Sequence, residues 1–211
     1  MDKKKPVIIL GAGSIGKIAY DVFSTNDVIV YGFLDDDFEQ GTEIDEVTVL
    51  GKIDDESLFD LIGKDCEVFI ASDENSSKEN LVDDIKESRK SIPINALHKD
   101  SSIAPTAFLG YGNLVARGAC IGAFAKIGNH SIFHANALID TNVVCEDYVN
   151  IGAGAIVNTN VQIGKGVFVG SGAILVSGVK IGKGAKIGAG SVVISDVAAG
   201  KTYFGNPAKE I

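Results

Sequence analysis

The sequence predicts two domains of different fold class: an α/β domain with a parallel sheet over residues 1–95, and an all-β parallel β-helix over residues 96–211. A strand, a glycine turn and a helix follow one another near the start, and an apolar residue recurs at every sixth position after residue 96. Composition changes at the same point. Residues 96–211 hold 18 of the 25 glycines, and the net charge is −12 before residue 96 and +3 from there on.

The α/β prediction rests on three apolar runs. Val7–Leu10 leads into Gly11-Ala12-Gly13-Ser14-Ile15-Gly16, and residues 17–23 then have helical spacing. Residues 28–34 and 66–72 form two further predicted strands, and a charged helix follows the second of these as far as about Lys90. Strands that alternate with helices indicate a doubly wound, Rossmann-like sheet, whose ligand cleft lies at the carboxyl ends of the strands.

The glycine turn is suited to an anion. Gly11 and Gly13 let the backbone approach a phosphate, and the following helix presents unpaired N–H groups at its positive end. Asp35 comes nineteen residues after Gly16 and could accept a hydrogen bond from a ribose hydroxyl or a base N–H. We therefore expect a nucleotide. A turn that serves only close helix–sheet packing, and an NAD-dependent dehydrogenase, remain less favoured interpretations, the latter because the domain offers no evident hydride-transfer site.

The second domain carries a six-residue repeat with seventeen consecutive apolar positions. They are Leu97, Ile103, Leu109, Val115, Ile121, Ile127, Phe133, Ile139, Cys145, Ile151, Val157, Ile163, Val169, Leu175, Ile181, Ile187 and Val193. This period is typical of a parallel β-helix in which each unit forms one flat face and one tight corner, and three units form a coil. Glycine suits the corners that need positive φ, so most of the glycine excess reflects geometry. Residues 197–209 leave the repeat and are expected to cap the open end.

Several classes of protein are disfavoured by composition. The net charge is −9 and no basic block exceeds Lys3-Lys4-Lys5, so we expect neither nucleic acid nor an anionic membrane as a partner. No apolar run approaches the ~18–20 residues of a membrane span. Three cysteines without paired spacing, and no apolar leader at the N-terminus, predict a cytoplasmic protein without a disulfide framework.

Along nearly its whole length the chain resembles the bacterial sialic-acid O-acetyltransferase family, and most closely its branch of UDP-4-amino-sugar N-acetyltransferases. The matching stretches are residues 11–16, 33–37, 94–99 and 205–209. The resemblance implies that the β-helix is left-handed and that the protein is a homotrimer, in which acetyl-CoA, the acyl donor, lies between two neighbouring β-helices. It implies no metal.

The resemblance also implies site residues. The N-terminal domain would bind the nucleotide of a sugar, with phosphates at Gly11, Gly13, Ser14 and Ile15, the base at Asp35 and Asp36, and Ser72 near the sugar nucleotide. Groups near Asn150, Thr159, Ser171 and Ala189 would border the CoA. The implied reaction is N-acetylation of a nucleotide-linked amino sugar in bacterial glycan biosynthesis.

The chain departs from the family at its catalytic pair. In the family, this pair is a histidine followed by Asp or Glu, and the corresponding residues of this chain are Thr141 and Asn142. The family also uses a further histidine near the thioester, and the corresponding residue here is Asn150. A positioned base contributes about 10²–10⁴ in rate, and threonine cannot act as one. Transfer could instead rest on positioning, with hydrogen bonds from Thr141, Asn142 and Asn150 to the developing oxyanion, which suits an amine better than a hydroxyl.

His134 is a candidate for a relocated base, against the alternative of a histidine that merely tolerates a tight corner. His130 is expected to be solvated, and His98 to have a structural or interdomain role. Cys145, at an inward repeat position, is expected to be a buried apolar residue. Two other functions stay open: a catalytically inactive relative that acts as a ligand-binding or scaffold subunit, and an O-acetyltransferase of a sialic-acid-like sugar.

Overall fold

The computed structural model describes residues 5–211, which divide into two compact units: one ends at Lys99 and the other comprises Asp100–Ile211. None of the helices in the described residues is long and apolar enough to cross a membrane.

The first unit contains a five-stranded sheet with helices. In chain order its elements are β1 (Val7–Leu10), α1 (Ser14–Thr25), β2 (Val30–Leu34), β3 (Glu43–Ile44), β4 (Val47–Gly51), α2 (Glu56–Phe59), β5 (Glu67–Ile70), α3 (Asn75–Asp84), one π-helical turn (Ile85–Arg89) and β6 (Ala96–Leu97). The sheet order is β3-β4-β2-β1-β5, in which β4, β2, β1 and β5 are parallel and β3 is antiparallel to β4.

This topology confirms the predicted Rossmann-like fold and adds elements to it. The three predicted strands correspond to β1, β2 and β5, while β3, β4 and α2 were not predicted. Strand β1 lies inside the sheet and all four of its residues are buried, as expected for an apolar run covered on both faces. Its carboxyl end, together with those of β2 and β5, forms one edge of the sheet.

The second unit is a left-handed parallel β-helix, as predicted. Its strands are β7 (Ser102–Ile103), β8 (Phe108–Leu109), β9 (Leu114–Val115), β10 (Cys120–Ile121), β11 (Lys126–Ile127), β12 (Ile132–Phe133), β13 (Leu138–Ile139), β14 (Val144–Cys145), β15 (Asn150–Ile151), β16 (Ile156–Val157), β17 (Gln162–Ile163), β18 (Phe168–Val169), β19 (Ile174–Leu175), β20 (Lys180–Ile181), β21 (Lys186–Ile187), β22 (Val192–Val193), β23 (Thr202–Gly205) and β24 (Ala208–Glu210).

These strands form three faces. The first face contains β7, β10, β13, β16, β19 and β22; the second contains β8, β11, β14, β17 and β20; the third contains β9, β12, β15, β18, β21, β23 and β24. Within the repeat, each strand has two residues, and from Val115 to Val193 the second residue of every strand is buried. These are the residues of the predicted six-residue series, so the apolar period does specify the inside of the coil.

Three corners connect the faces. The first corner (residues 104–107, 122–125, 140–143, 158–161 and 176–179) joins the first face to the second. The second corner (110–113, 128–131, 146–149, 164–167 and 182–185) joins the second face to the third. The third corner (116–119, 134–137, 152–155, 170–173 and 188–191) closes the coil. Beyond the repeat, β23 pairs with β21 and turns back as a hairpin with β24.

Candidate functional site

A cleft of about 410 Å³ lies at the carboxyl ends of β1, β2 and β5 in the first unit. All seven residues that the resemblance assigned to the nucleotide sugar line it: Gly11, Gly13, Ser14, Ile15, Asp35, Asp36 and Ser72. The structure therefore brings together residues that are up to 61 positions apart in the chain. This is the edge at which open parallel sheets bind ligands.

Gly13 and Gly16 occur in the turn for different physical reasons. A Cβ on Gly16 would stand 2.1 Å from the carbonyl oxygen of Gly11, so Gly16 is required for close packing of α1 against the turn. A Cβ on Gly13 would meet no atom within 4 Å, and Gly13 has an ordinary negative φ of −69°. The backbone at Gly13 is thus open to a ligand. Gly16 is needed for packing whether or not the turn binds a nucleotide, so it does not distinguish a nucleotide-binding turn from a turn that serves only helix–sheet packing.

Asp35 holds the turn in place. Its Oδ2 accepts the N–H of Ala12 at 2.6 Å, and its Oδ1 accepts the N–H of Asp37 at 2.8 Å. Asp35 is buried, while the neighbouring Asp36 is exposed and accepts the N–H of Ile53 through Oδ1 at 3.1 Å. The two carboxylates differ in consequence: Asp35 positions backbone, and Asp36 is the more accessible to a ligand.

Two helices begin at this cleft. No side chain in the described part of the chain caps the N-terminus of α1, so its first N–H groups are available to an anion. At α3, Ser72 Oγ accepts the N–H of Glu74 at 3.1 Å. The Glu74 carboxylate accepts the hydroxyls of Ser76 and Ser77 at 2.6 Å each, and these hydrogen bonds lower its pKa.

The charge of the cleft is one-sided. Within residues 5–211, its lining includes five carboxylates, those of Asp35, Asp36, Asp37, Asp73 and Glu74, and neither lysine nor arginine. A phosphate there would be held by backbone N–H groups and the positive end of α1 rather than by a basic side chain. A cationic amino group on the same ligand would meet carboxylates.

In the β-helix, Thr141 and Asn142 are adjacent residues at the first corner of one coil, and they bond to the coils stacked on either side. The N–H of Asn142 donates to the carbonyl of Ala123 at 3.0 Å, and the carbonyl of Thr141 accepts the N–H of Asn160 at 3.1 Å. Asn142 has a φ of 59°, which Asn tolerates better than most residues, and its Nδ2 donates to Asn160 Oδ1 at 3.3 Å. Thr159 stands one coil beyond Thr141 and donates its hydroxyl to Ser177 at 3.1 Å.

The other predicted residues lie elsewhere on the coil. His134, Ser171 and Ala189 belong to the third corner, and Asn150 faces outward on the third face. The buried Oδ1 of Asn150 has no hydrogen-bond partner within residues 5–211. A single chain therefore does not bring the predicted catalytic and CoA-bordering residues together, since they occupy two corners and a face.

The structure corrects one expectation and clarifies others. His130 was expected to be solvated but is only 3 % exposed: its ring stacks on Tyr148 at 5.2 Å between centroids and meets the edge of Tyr111 at 5.3 Å. These rings lie at the second corner, where coils stack. His98 is buried, with its Nε2 3.5 Å from Asp21 Oδ2. Cys145 points inward, and burial raises the pKa of its thiol to about 12.

Sequence reasoning missed Asp140. This half-buried residue directly precedes Thr141, and its Oδ1 accepts the Thr141 N–H at 2.7 Å. The available signal was position: Asp140 is the first corner residue after the inward Ile139, where other coils have Ala, Gly, Asn or Val. A larger cleft, of about 590 Å³, runs along the outer side of β17 and β20, and none of the predicted site residues lines it.

A nucleotide-type α/β unit joined to a hexapeptide β-helix defines a class of two-domain sugar acyltransferases, and comparison with known proteins supports this assignment. Residues 6–85 match the family described as the PglD N-terminal domain, and residues 160–195 match the bacterial transferase hexapeptide family. The resemblance to the sugar acetyltransferase family is thereby confirmed, and the protein is an acyltransferase.

Solved structures agree over the full length. The acetyltransferase domain of PglB from Neisseria gonorrhoeae, in complex with acetyl coenzyme A, is 25% identical with a TM-score of 0.91, and the match covers 99% of this chain and 100% of that one. A His-to-Ala mutant of GDP-perosamine N-acetyltransferase from Caulobacter crescentus, in complex with CoA and GDP-perosamine, is 27% identical with a TM-score of 0.88, over 99% and 98% of the two chains. No curated protein sequence matches the chain.

Proposed function

We propose that this protein transfers the acetyl group of acetyl-CoA to the amino group of a nucleotide-linked sugar. The observation that carries the proposal is the cleft of the first unit, which is lined by all seven residues assigned to the nucleotide sugar. The same chain also contains a hexapeptide β-helix. The two similar structures described above hold the corresponding ligands, acetyl coenzyme A in one and CoA with GDP-perosamine in the other.

The acceptor binds in the cleft of the first unit. Backbone N–H groups at Gly13, Ser14 and Ile15 hold its phosphates, and Asp36 accepts an N–H of the base. Asp35 acts through the turn, because both of its oxygens already accept backbone N–H groups. Ser72 lies at the opposite side of the turn, at the start of α3, where it contacts the sugar nucleotide.

The donor binds between subunits of a homotrimer. The residues implied in CoA binding and catalysis occupy the first and third corners, so a complete site requires that corners of two chains meet. The first face supports association: five of its six outward positions are apolar, namely Cys120, Leu138, Ile156, Ile174 and Val192. An apolar surface of this kind is typical of an interface between subunits.

An amine acceptor fits the residues at the first corner. Thr141 occupies the place of the family histidine, and Asn142 that of its acidic partner, so neither supplies the imidazole base that a sugar hydroxyl would require. Hydroxyl and amide groups can orient the amine and stabilise the developing oxyanion. With three free cysteines, two of them buried, we place the protein in the reducing cytoplasm.

The test is thiol release from acetyl-CoA in the presence of UDP-, GDP- and dTDP-linked amino sugars. Wild type is expected to turn over at least one of them. Thr141→His is assayed beside it: activity confined to that variant would favour the rival function, a catalytically inactive relative that binds ligands or acts as a scaffold. If neither protein turns over and acetyl-CoA fails to bind, the proposal is wrong.

A further inference from the structure

We infer that Asp140 accepts the proton that the acceptor amine loses during acetyl transfer, in place of the absent histidine. This inference rests on the proposed function. The first corner comprises residues 104–107, 122–125, 140–143, 158–161 and 176–179, and Asp140 is the only one of them with an ionisable side chain. Thr141 and Asn142, which follow it, carry no group that can take a proton at neutral pH.

The geometry leaves one carboxylate oxygen of Asp140 available. Oδ1 accepts the Thr141 N–H at 2.7 Å, which orients the carboxylate at the corner. Oδ2 makes no hydrogen bond to any residue in the range 5–211. The side chain is half-buried, so Oδ2 can reach a ligand while the residue stays anchored through its backbone N–H, which donates to Val157 at 2.9 Å.

Proton transfer accompanies formation of the amide bond. The amine nitrogen forms a bond to the acetyl carbonyl carbon, and the bond from that carbon to the CoA sulfur breaks. One N–H proton passes to Asp140 Oδ2 and then to the departing thiolate, so the products are the amide and free CoA thiol. As the C–N bond forms, the nitrogen gains positive charge and its N–H becomes acidic enough for a carboxylate to accept.

The alternative base, His134, differs from Asp140 in its position relative to Thr141. His134 belongs to the third corner, and β13 separates it from Thr141 in the same chain. It could reach the first corner only of a neighbouring subunit. Asp140 is adjacent to Thr141 in every subunit, whatever the arrangement of the trimer.

The variant Asp140→Asn isolates the charge. Asn keeps an oxygen that can accept the Thr141 N–H, and the next coil already has Asn158 at the equivalent position, where its Nδ2 donates to Leu175 at 2.7 Å. The corner thus accommodates Asn. Glu146→Gln is the matched control, because Glu146 is the first residue of the second corner in the same coil and its carboxylate also accepts a backbone N–H, that of Lys165 at 2.7 Å.

Acetyl transfer is measured with the nucleotide amino sugar that wild type uses, and CoA binding by calorimetry. Asp140→Asn is expected to lower kcat about 10²-fold or more, with the KM of the sugar, the CoA affinity and the melting temperature kept, while Glu146→Gln behaves as wild type. Retention of kcat within about threefold, or a loss of CoA affinity or folding that parallels the loss of kcat, would overturn the inference. So would a loss of kcat in His134→Asn but not in Asp140→Asn. A wild type inactive on every sugar would overturn the proposed function and this inference with it.

Discussion

The carboxylate of Asp35 accepts the backbone N–H of Ala12 at 2.6 Å, and so ties the end of β2 to the turn after β1. Both residues are buried. Asp35→Ala is expected to leave the Ala12 N–H unsatisfied and to lower the free energy of unfolding by about 1–3 kcal/mol, with weaker UDP binding, because the turn loses its support. Urea unfolding and calorimetry measure the two effects. Asp35→Asn, which keeps an acceptor oxygen, should lose less; equal stability of Asp35→Ala and wild type would contradict this role.

Gly13 and Gly16 are expected to respond differently to alanine. In Gly16→Ala the new Cβ would stand 2.1 Å from the Gly11 carbonyl oxygen, so α1 must shift, at a cost of about 1–3 kcal/mol in unfolding free energy. Gly13→Ala meets no atom within 4 Å and should fold as wild type. If phosphate lies against Gly13, the added methyl group should nevertheless weaken UDP binding about tenfold, or ~1.4 kcal/mol. Undiminished UDP affinity in a folded Gly13→Ala protein would place the phosphate elsewhere.

Lys78 should make stability rise under mildly alkaline conditions. Burial lowers the pKa of Lys78 to about 8, with Asp73 acting in the opposite direction. Above that pH the folded state has released a proton that the unfolded chain still holds, since an unperturbed lysine titrates near 10.4; stability therefore increases with pH. We expect a gain of about 1 kcal/mol between about pH 7.5 and 9 in urea unfolding.

The control for this prediction is Lys78→Met, in which every other titrating group is kept. The difference in unfolding free energy between wild type and Lys78→Met should increase with pH, because the remaining titrating groups contribute equally to both proteins. A difference that does not change with pH would show that Lys78 titrates near its ordinary value.

A charge on the first face should disrupt the proposed trimer. Ile156 is a half-buried outward residue in the middle of the apolar row on that face. Ile156→Asp would place an unpaired carboxylate in the interface, and we expect monomers by light scattering together with loss of acetyl-CoA binding. Gln162→Asp, on the exposed polar position of β17, is the control and should stay trimeric. A trimeric Ile156→Asp protein with full CoA affinity would exclude the first face from the interface.

The fold could be predicted because each of its signals is local. Every six-residue unit places an apolar residue at the same inward position, as Ile139, Cys145 and Ile151 show in successive strands, so the register follows from the sequence alone. The cleft could be predicted for a similar reason: Gly11 and Asp35 directly follow apolar strands, Ser72 lies at the end of a third, and parallel strands bring their carboxyl ends to one edge. The short β3 and β4 and the single turn of α2 carry no comparable period and were missed.

The burial of the rings at the second corner depends on residues that are about one coil apart in the sequence and pack on each other. The burial of His130 results from Tyr148, one coil further along, and from Tyr111, nineteen positions earlier, which no local pattern indicates. Asp140 carries no repeating signal, because the equivalent corner positions of the other coils hold Ala, Gly, Asn and Val. The bond from the Thr141 N–H to Asp140 Oδ1, which leaves Oδ2 available, is a feature of the folded corner that the sequence does not encode in any local pattern.

The most direct test of the proposed function is the product itself. Acetyl-CoA and the protein are incubated with UDP-4-amino sugars and GDP-perosamine, and the sugars are analysed by mass spectrometry and NMR. The expected product carries one added acetyl group, bonded as an amide to the sugar nitrogen, and no acetylated product is expected when the amino group is replaced by hydroxyl. An ester on a hydroxyl oxygen, or no acetylated sugar although acetyl-CoA and the nucleotide both bind, would contradict the proposed function.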